Sequence, residues 1–284
     1  MDAGILYLVA TPIGNLGDFS PRAQQTISNV DFIAAEDTRV TKKLLAAFDL
    51  PAKPMVSYFE HNRRQRGEEI LSRLLAGESC ALMTDAGMPA ISDPGEDLVA
   101  LCAQHGIMVC VVPGCCAAVC ALAASGLPTG RWCFEGFLSM NKKVRREHLE
   151  NLKTEKRTMI FYEAPHKLRQ TLEDLCTAFG EERHISLSRE ITKLHEETLR
   201  FTLGQAREYF AQTPPRGEFV LIVEGVAEDD PKDEERMAQA LVQVQSAIEK
   251  GETLKDAVKR VSADVGVKKN ALYHAALEMQ QQSG

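Results

Sequence analysis

Three glycine- and proline-rich segments each follow an apolar run of strand length: TPIGNLGD (11–18), TDAGMPAISDPG (84–95) and VVPGCCAAVCALAASGLP (111–128). Glycine lets backbone N–H groups approach a ligand closely, and the start of a helix favours an anionic group. The first segment lacks G-x-G-x-x-G, so an ordinary tight strand–helix turn accounts for it as well as a ligand loop does. The second places two Asp, two Gly and two Pro in twelve residues. A simple connection needs only about two to six residues, so this length argues for a binding loop. Small Ala and Cys residues along the third would let a ligand, or merely a neighbouring element, pack closely. Metal chemistry has no support: the eight cysteines form no C-x-x-C, and no histidine lies near them at zinc-ligand spacing. Most sit in apolar runs as buried thiols, which implies a reducing compartment such as the cytoplasm.

The elements that must carry these loops alternate. Apolar runs at 5–11, 32–37, 54–58, 80–84 and 107–112 read as strands, with helices at 20–30, 38–48 and near 63–76, 95–105 and 115–125. Ser20 and Pro21 make a good helix start. Strand–helix alternation predicts a mostly parallel sheet covered on both faces, with ligands at the carboxyl ends of its strands. Beyond residue 130 the pattern becomes strands at 132–137, 157–163, 184–190, 197–203 and 218–225 with short connections, a mixed sheet hinged near 127–130. Residues 227–235, with six acids and one lysine, read as a solvated linker. From Arg236 the chain is helical, two amphipathic helices flanking Val265-Gly266, either a helix-turn-helix-like module or a hairpin packed on the body.

The chain has 284 residues, 44% hydrophobic and 26% charged, an ordinary globular composition. Its formal net charge of −7 argues at first against a nucleic-acid partner. The acidic linker supplies most of that excess, and the bases are grouped. Residues 139–157 hold seven bases against three acids, while Lys42, Lys43, Arg63, Arg64 and Arg66 form a second group, and Lys268 with Lys269 a weaker third. The N-terminus has no basic leader, and no membrane span is expected, since His105-Gly106 and Pro113-Gly114 interrupt the uncharged stretch 98–130.

Taken together and in order, LYLVATPIGNLGD, AAEDTRVTKKLL (34–45), SYFEHN (57–62), TDAGMPAISDPG, VPGCCAAVCALAASGLP, FYEAPHKL (161–168) and SREITKLHEE (188–197) resemble the tetrapyrrole methylase superfamily. Within it, the pattern is closest to the ribosomal RNA small subunit methyltransferase I family. The resemblance spans roughly residues 5 to 225. It implies two α/β domains of the tetrapyrrole methylase type, residues 1–128 and 129–226; with the helical tail read from the pattern, the expected fold class is α/β with a short helical C-terminal module, residues 236–284. It also implies S-adenosylmethionine as cofactor, a cytidine ribose 2′-hydroxyl in the decoding region of small-subunit ribosomal RNA as acceptor, and a cytoplasmic homodimer. The tetrapyrrole-modifying branch shows G-x-G-P-G-D where this chain has Thr11 to Leu16, which sets a porphyrinoid substrate second. A non-catalytic ribosome-assembly factor on the same fold is the rival from another class. A nucleotide-binding oxidoreductase has little support.

Carried over residue by residue, the resemblance places Pro12, Gly14, Asp85, Ala86, Gly87, Ile91, Ser92, Ala117, Ala118, Tyr162 and Gly217 around the cofactor. Methyl transfer to a hydroxyl then needs alignment and a proton acceptor. Asp37, Glu36 and His61 are the expected catalytic candidates, with Glu163 and Glu190 also weighed. Helix capping by Asp37 or Thr38 explains that site equally well, and His61 is also an ordinary surface histidine. RNA phosphates are expected on Arg39, Lys42, Lys43, Arg63, Arg64, Lys142, Lys143, Arg145 and Arg146.

Overall fold

A computed structural model describes residues 3–226, 231–267 and 269–282. The first half folds as β1 (Ile5–Val9), α1 (Pro21–Asn29), β2 (Phe32–Ala35), α2 (Thr38–Ala47), β3 (Met55–Ser57), α3 (Arg63–Leu75), β4 (Cys80–Met83), α4 (Glu96–Gln104), β5 (Met108–Val112) and α5 (Ala117–Ala124). The five strands are parallel in the order β3-β2-β4-β1-β5. Alternate residues feed two cores. Leu6, Leu8, Phe32, Ala34 and Leu82 pack against Ile70, Leu74 and Leu98 of α3 and α4. Val9, Ile33, Ala35 and Met83 pack against Ala23, Ile27 and Leu45 of α1 and α2. The helices after β1 and β4 thus lie on opposite faces, opening a crevice at the carboxyl ends of those neighbouring strands, where ligands of such sheets bind.

The second half contains β6 (Trp132–Phe137), α6 (Lys142–Asn151), β7 (Thr158–Glu163), α7 (Leu168–Phe179), β8 (His184–Arg189), β9 (Glu197–Thr202), α8 (Leu203–Gln212) and β10 (Phe219–Val223). The mixed sheet runs β6-β7-β10-β8-β9, with only β6 and β7 parallel. One face buries Phe161, Leu187 and Leu221 under Leu172, Leu175 and Phe210 of α7 and α8. The other buries Ile160, Val220 and Ile222 under Ala118, Ala121 and Leu122 of α5, so the small-residue helix that follows β5 of the first sheet packs on the second. The connections, several of them expected to be short, include helices α6, α7 and α8, which give the second sheet its cover.

Both sheets belong to one compact unit ending at Val226, and a second unit follows. It holds α9 (Pro231–Glu249), α10 (Leu254–Val265) and α11 (Lys269–Gln282) around Ala240, Val244, Val258, Val261 and Leu272. Helix α9 starts inside the stretch expected as linker, whose first four residues, 227–230, lie outside the described residues together with Lys268. Thr253 caps α10 by accepting from the Asp256 N–H, and Gly266 ends it in the left-handed conformation at φ 76°. No described helix is long and apolar enough to cross a membrane.

Candidate active site

The crevice is built by backbone pairing between loops. Thr11 N–H donates to the Gly87 carbonyl at 2.9 Å and Gly87 N–H returns to Thr11 at 3.1 Å, tying the loop after β1 to the loop after β4. Gly87 sits at φ 89°, the left-handed side that favours glycine. In the same loop Ala90 and Ser92 are also left-handed, at 67° and 63°. Strain of this kind persists only where the surroundings enforce it, and it concentrates at functional sites. A reciprocal clasp adds the loop after β2: Asp37 N–H donates to Asp85 Oδ1 at 3.2 Å, and Asp85 N–H donates to Glu36 Oε2 at 3.1 Å.

The second sheet closes the opposite wall. The Tyr162 hydroxyl accepts from the Ala118 N–H at 3.1 Å, and Phe134 and Phe137 set their edges against its ring. Glu190 and Thr192, both left-handed, fold the loop after β8 inward, where Lys193 pairs with Glu190 at 3.1 Å. A side chain at Gly14 would stand 2.4 Å from Lys193 Cγ, and one at Gly217 the same distance from Glu190 Oε1. At both positions a β-carbon would displace a side chain of this loop, and Gly217 is in addition left-handed at φ 74°.

Between these walls lies a cavity of about 310 Å³. Its apolar lining includes Ile13, Met88, Ile91, Phe137, Tyr162, Ile191 and Val220; its polar lining includes six carboxylates, Glu36, Asp85, Asp93, Glu163, Glu190 and Glu218, with Lys193. Of the residues expected at the cofactor, Asp85, Ala86, Gly87, Ile91, Ser92, Ala117 and Tyr162 line it. Pro12, Gly14, Ala118 and Gly217 are not among its lining. Of the catalytic candidates, Glu36 lines it and Asp37 and His61 do not. Asp37 caps α2 through the Arg39 N–H at 2.8 Å and pairs with the Arg39 guanidinium at 2.5 Å, which holds its carboxyl down at about 2. His61 is exposed, edge-on to Phe59.

Asp93 was missed by the sequence reading. Burial, and then the negative charges of Glu36, Asp85 and Glu218, push its carboxyl up to about 7. Asp85 is also raised, chiefly by burial, and burial lifts the Tyr162 phenol to about 12. The only sequence sign of Asp93 was its place in the long loop 84–95.

The expected phosphate contacts divide. All but Arg145 are exposed; of these, Arg39 is occupied by Asp37 at 2.5 Å, Arg63 by Glu60 at 3.2 Å and Asp97 at 3.6 Å, and Lys143 lies 3.9 Å from Glu147. Arg145 is a correction. It is 9% exposed, its guanidinium on Asp174 at 2.5 Å and on Thr171 Oγ1 at 2.8 Å, so it braces α6 on α7 and its guanidinium is engaged within the protein.

Comparison with known proteins agrees with this architecture. The family model described as Tetrapyrrole (Corrin/Porphyrin) Methylases matches residues 5–207. A protein of Synechocystis sp. named Ribosomal RNA small subunit methyltransferase I is 47% identical over 98% of this chain and 99% of its own. Proteins with the same name from Halalkalibacterium halodurans and Escherichia coli O157:H7 are 49% and 44% identical, covering 96% and 98% of this chain and 94% and 96% of theirs. Among solved structures, the uroporphyrin-III C-methyl transferase of Thermus thermophilus complexed with S-adenyl homocysteine superposes with a TM-score of 0.54 at 18% identity, covering 78% of this chain and 97% of that one. A cobalt precorrin-4 methyltransferase gives 0.58 at 16% identity, covering 78% and 94%; both show the shared fold. The chain belongs to the ribosomal RNA small subunit methyltransferase I family, within the tetrapyrrole methylases.

Proposed function

We propose that this protein is an S-adenosylmethionine-dependent methyltransferase of small-subunit ribosomal RNA, acting on the 2′-hydroxyl of a cytidine in the decoding region. The observation that carries the reading is near-full-length similarity to relatives bearing that family name, joined to a cavity whose chemistry suits the donor. About 310 Å³ lies within the range of small-molecule sites. Six carboxylates against one lysine favour a ligand bearing a sulfonium and an ammonium, and disfavour an anionic dinucleotide or a carboxylate-rich tetrapyrrole. The residues therefore fit the donor. The lobes 1–128 and 129–226 each supply one wall.

Bound in this cavity, the donor would supply a methyl group on positively charged sulfur, transferable by in-line displacement. The chain's part is to align the acceptor and take its proton. Holding two reactants in near-attack geometry supplies roughly 7–11 kcal/mol of barrier lowering. Gly87 and Ala117 allow close approach at the wall, and Tyr162, fixed by the Ala118 N–H, gives a flat apolar face. Asp93 is the group we assign to accept the hydroxyl proton on its carboxylate. A carboxyl near 7 is a stronger base than one held near 2, which favours Asp93 over Asp37. Glu36 orients the Asp85 backbone through the clasp.

We further propose a homodimer in the cytoplasm. In support, the edge strand β5 and helix α5 expose Met108, Val111 and Val119, and all eight cysteines are free thiols. The deciding experiment maps ribose methylation of small-subunit RNA in cells lacking the protein, then adds purified protein and labelled donor to their subunits. Loss and recovery of one cytidine 2′-O-methyl group is expected. Unchanged decoding-region methylation would overturn the assignment, and failure to bind the donor by calorimetry would leave only the assembly-factor reading.

A further inference from the structure

Two elements of the second lobe enclose a groove of about 660 Å³ outside the cavity: α6, and the β7–α7 turn with α7. Lys142, Arg146 and Lys153 line one side, and His166 and Lys167 the other. Lys153 pairs with Glu150 at 2.7 Å; Lys142, Arg146 and Lys167 make no ion pair among the described residues. One segment of the chain borders both the groove and the cavity. The short run Tyr162–Lys167 supplies cavity lining at Tyr162 and Glu163 and groove lining at His166 and Lys167. Its floor is rigid, because buried Arg145 bonds Asp174 and Thr171, and the Thr171 hydroxyl donates to Glu163.

We infer that this groove binds the RNA backbone, seating phosphates next to the target nucleotide on Arg146, Lys142, His166 and Lys167. This rests on the RNA methyltransferase reading above and adds the path along which the strand leaves the cavity. The two sites have opposite charge: an acidic cavity suits the cationic donor, and a basic groove beside it suits a polyanion. Met140, 74% exposed on the groove wall, adds an apolar contact for a sugar or base face. Arg145 serves as a positioning residue, holding α6 and Glu163 on one hydrogen-bonded floor.

The test uses the full-length protein, a labelled RNA fragment carrying the decoding-region hairpin, and small subunits lacking the methyl group. Arg146→Glu with Lys167→Glu is compared with wild type and with Arg22→Glu, a charge reversal on exposed α1. The double variant should bind the fragment at least ten-fold more weakly, and its log-affinity against log-salt slope should fall by about one for each lost phosphate contact. Its calorimetric affinity for S-adenosylmethionine and its melting temperature should match wild type, as should all properties of Arg22→Glu. Wild-type RNA affinity and salt slope in the double variant would overturn the groove. If wild type itself methylates no subunit RNA, the function reading fails instead.

Discussion

Replacing Asp93 by asparagine tests the proposed proton acceptor and the electrostatics of the cavity together. Moving this carboxyl from 3.8 to about 7 corresponds to ~4 kcal/mol of disfavoured charge. The group still contacts solvent through the cavity, so screening reduces this to about 2 kcal/mol. Because the folded-state value is raised, the associated stability is fully present below 3.8 and is lost as pH rises through about 7. The always-neutral amide escapes that loss. Asp93→Asn should therefore match wild type in thermal melts near pH 3.8 and exceed it at pH 8 by roughly 4–8 °C. Its activity should move the other way. Wild-type kcat/KM for methyl transfer should climb with unit slope to about pH 7 and then level. The variant should fall about 10²–10⁴-fold and lose that inflection. The positive donor lowers the carboxyl once bound, so the kcat profile should inflect at a lower pH than kcat/KM. An unchanged inflection in the variant, or no stability gain at pH 8, would refute the reasoning.

Three further outcomes follow from neighbouring residues. Asp37→Ala removes the α2 cap and the Arg39 partner but no cavity-lining group, so it should lower the melting temperature slightly and retain turnover. Loss of turnover with donor affinity intact would restore Asp37 as the base. Gly217→Ala forces a β-carbon to within 2.4 Å of Glu190 Oε1 at a φ of 74°; we expect about 1–2 kcal/mol of destabilisation by denaturant melts and weaker donor binding by calorimetry. Arg145→Met removes the guanidinium bonds to Asp174 and Thr171, while Asp174, half-buried, keeps Gln170 as a donor; the loss should cost about 2 kcal/mol, part of which Asp174→Leu in the same chain restores.

What the sequence made legible, and what it hid, divides along one physical line. The strands of both sheets could be read because burial on both faces makes runs such as Phe32–Ala35 and Phe219–Val223 continuously apolar, which is a local property. The long loop 84–95 could be read as a ligand loop because excess length between a strand and a helix is also local. Helix α6 was hidden because its charge run KKVRREHLEN masks the few positions, Arg145 and Leu149, that face inward. Arg145 itself looked like one cation among several, and only its meeting with Asp174 and Thr171, more than twenty residues on, makes it structural. The choice of carboxylate was hidden for the same reason. Asp37 and Asp93 are the same residue type on adjoining loops. A neighbour two positions away, Arg39, holds one ionised, while the other gains its proton affinity first from burial and then from Glu36, Asp85 and Glu218, brought from three separate segments. A motif therefore records which loops reach the rim, whereas basicity depends on which charges the fold gathers and how much water it leaves among them. That dependence is why the reactive group in an acidic cavity must be sought among the carboxylates without a cationic partner.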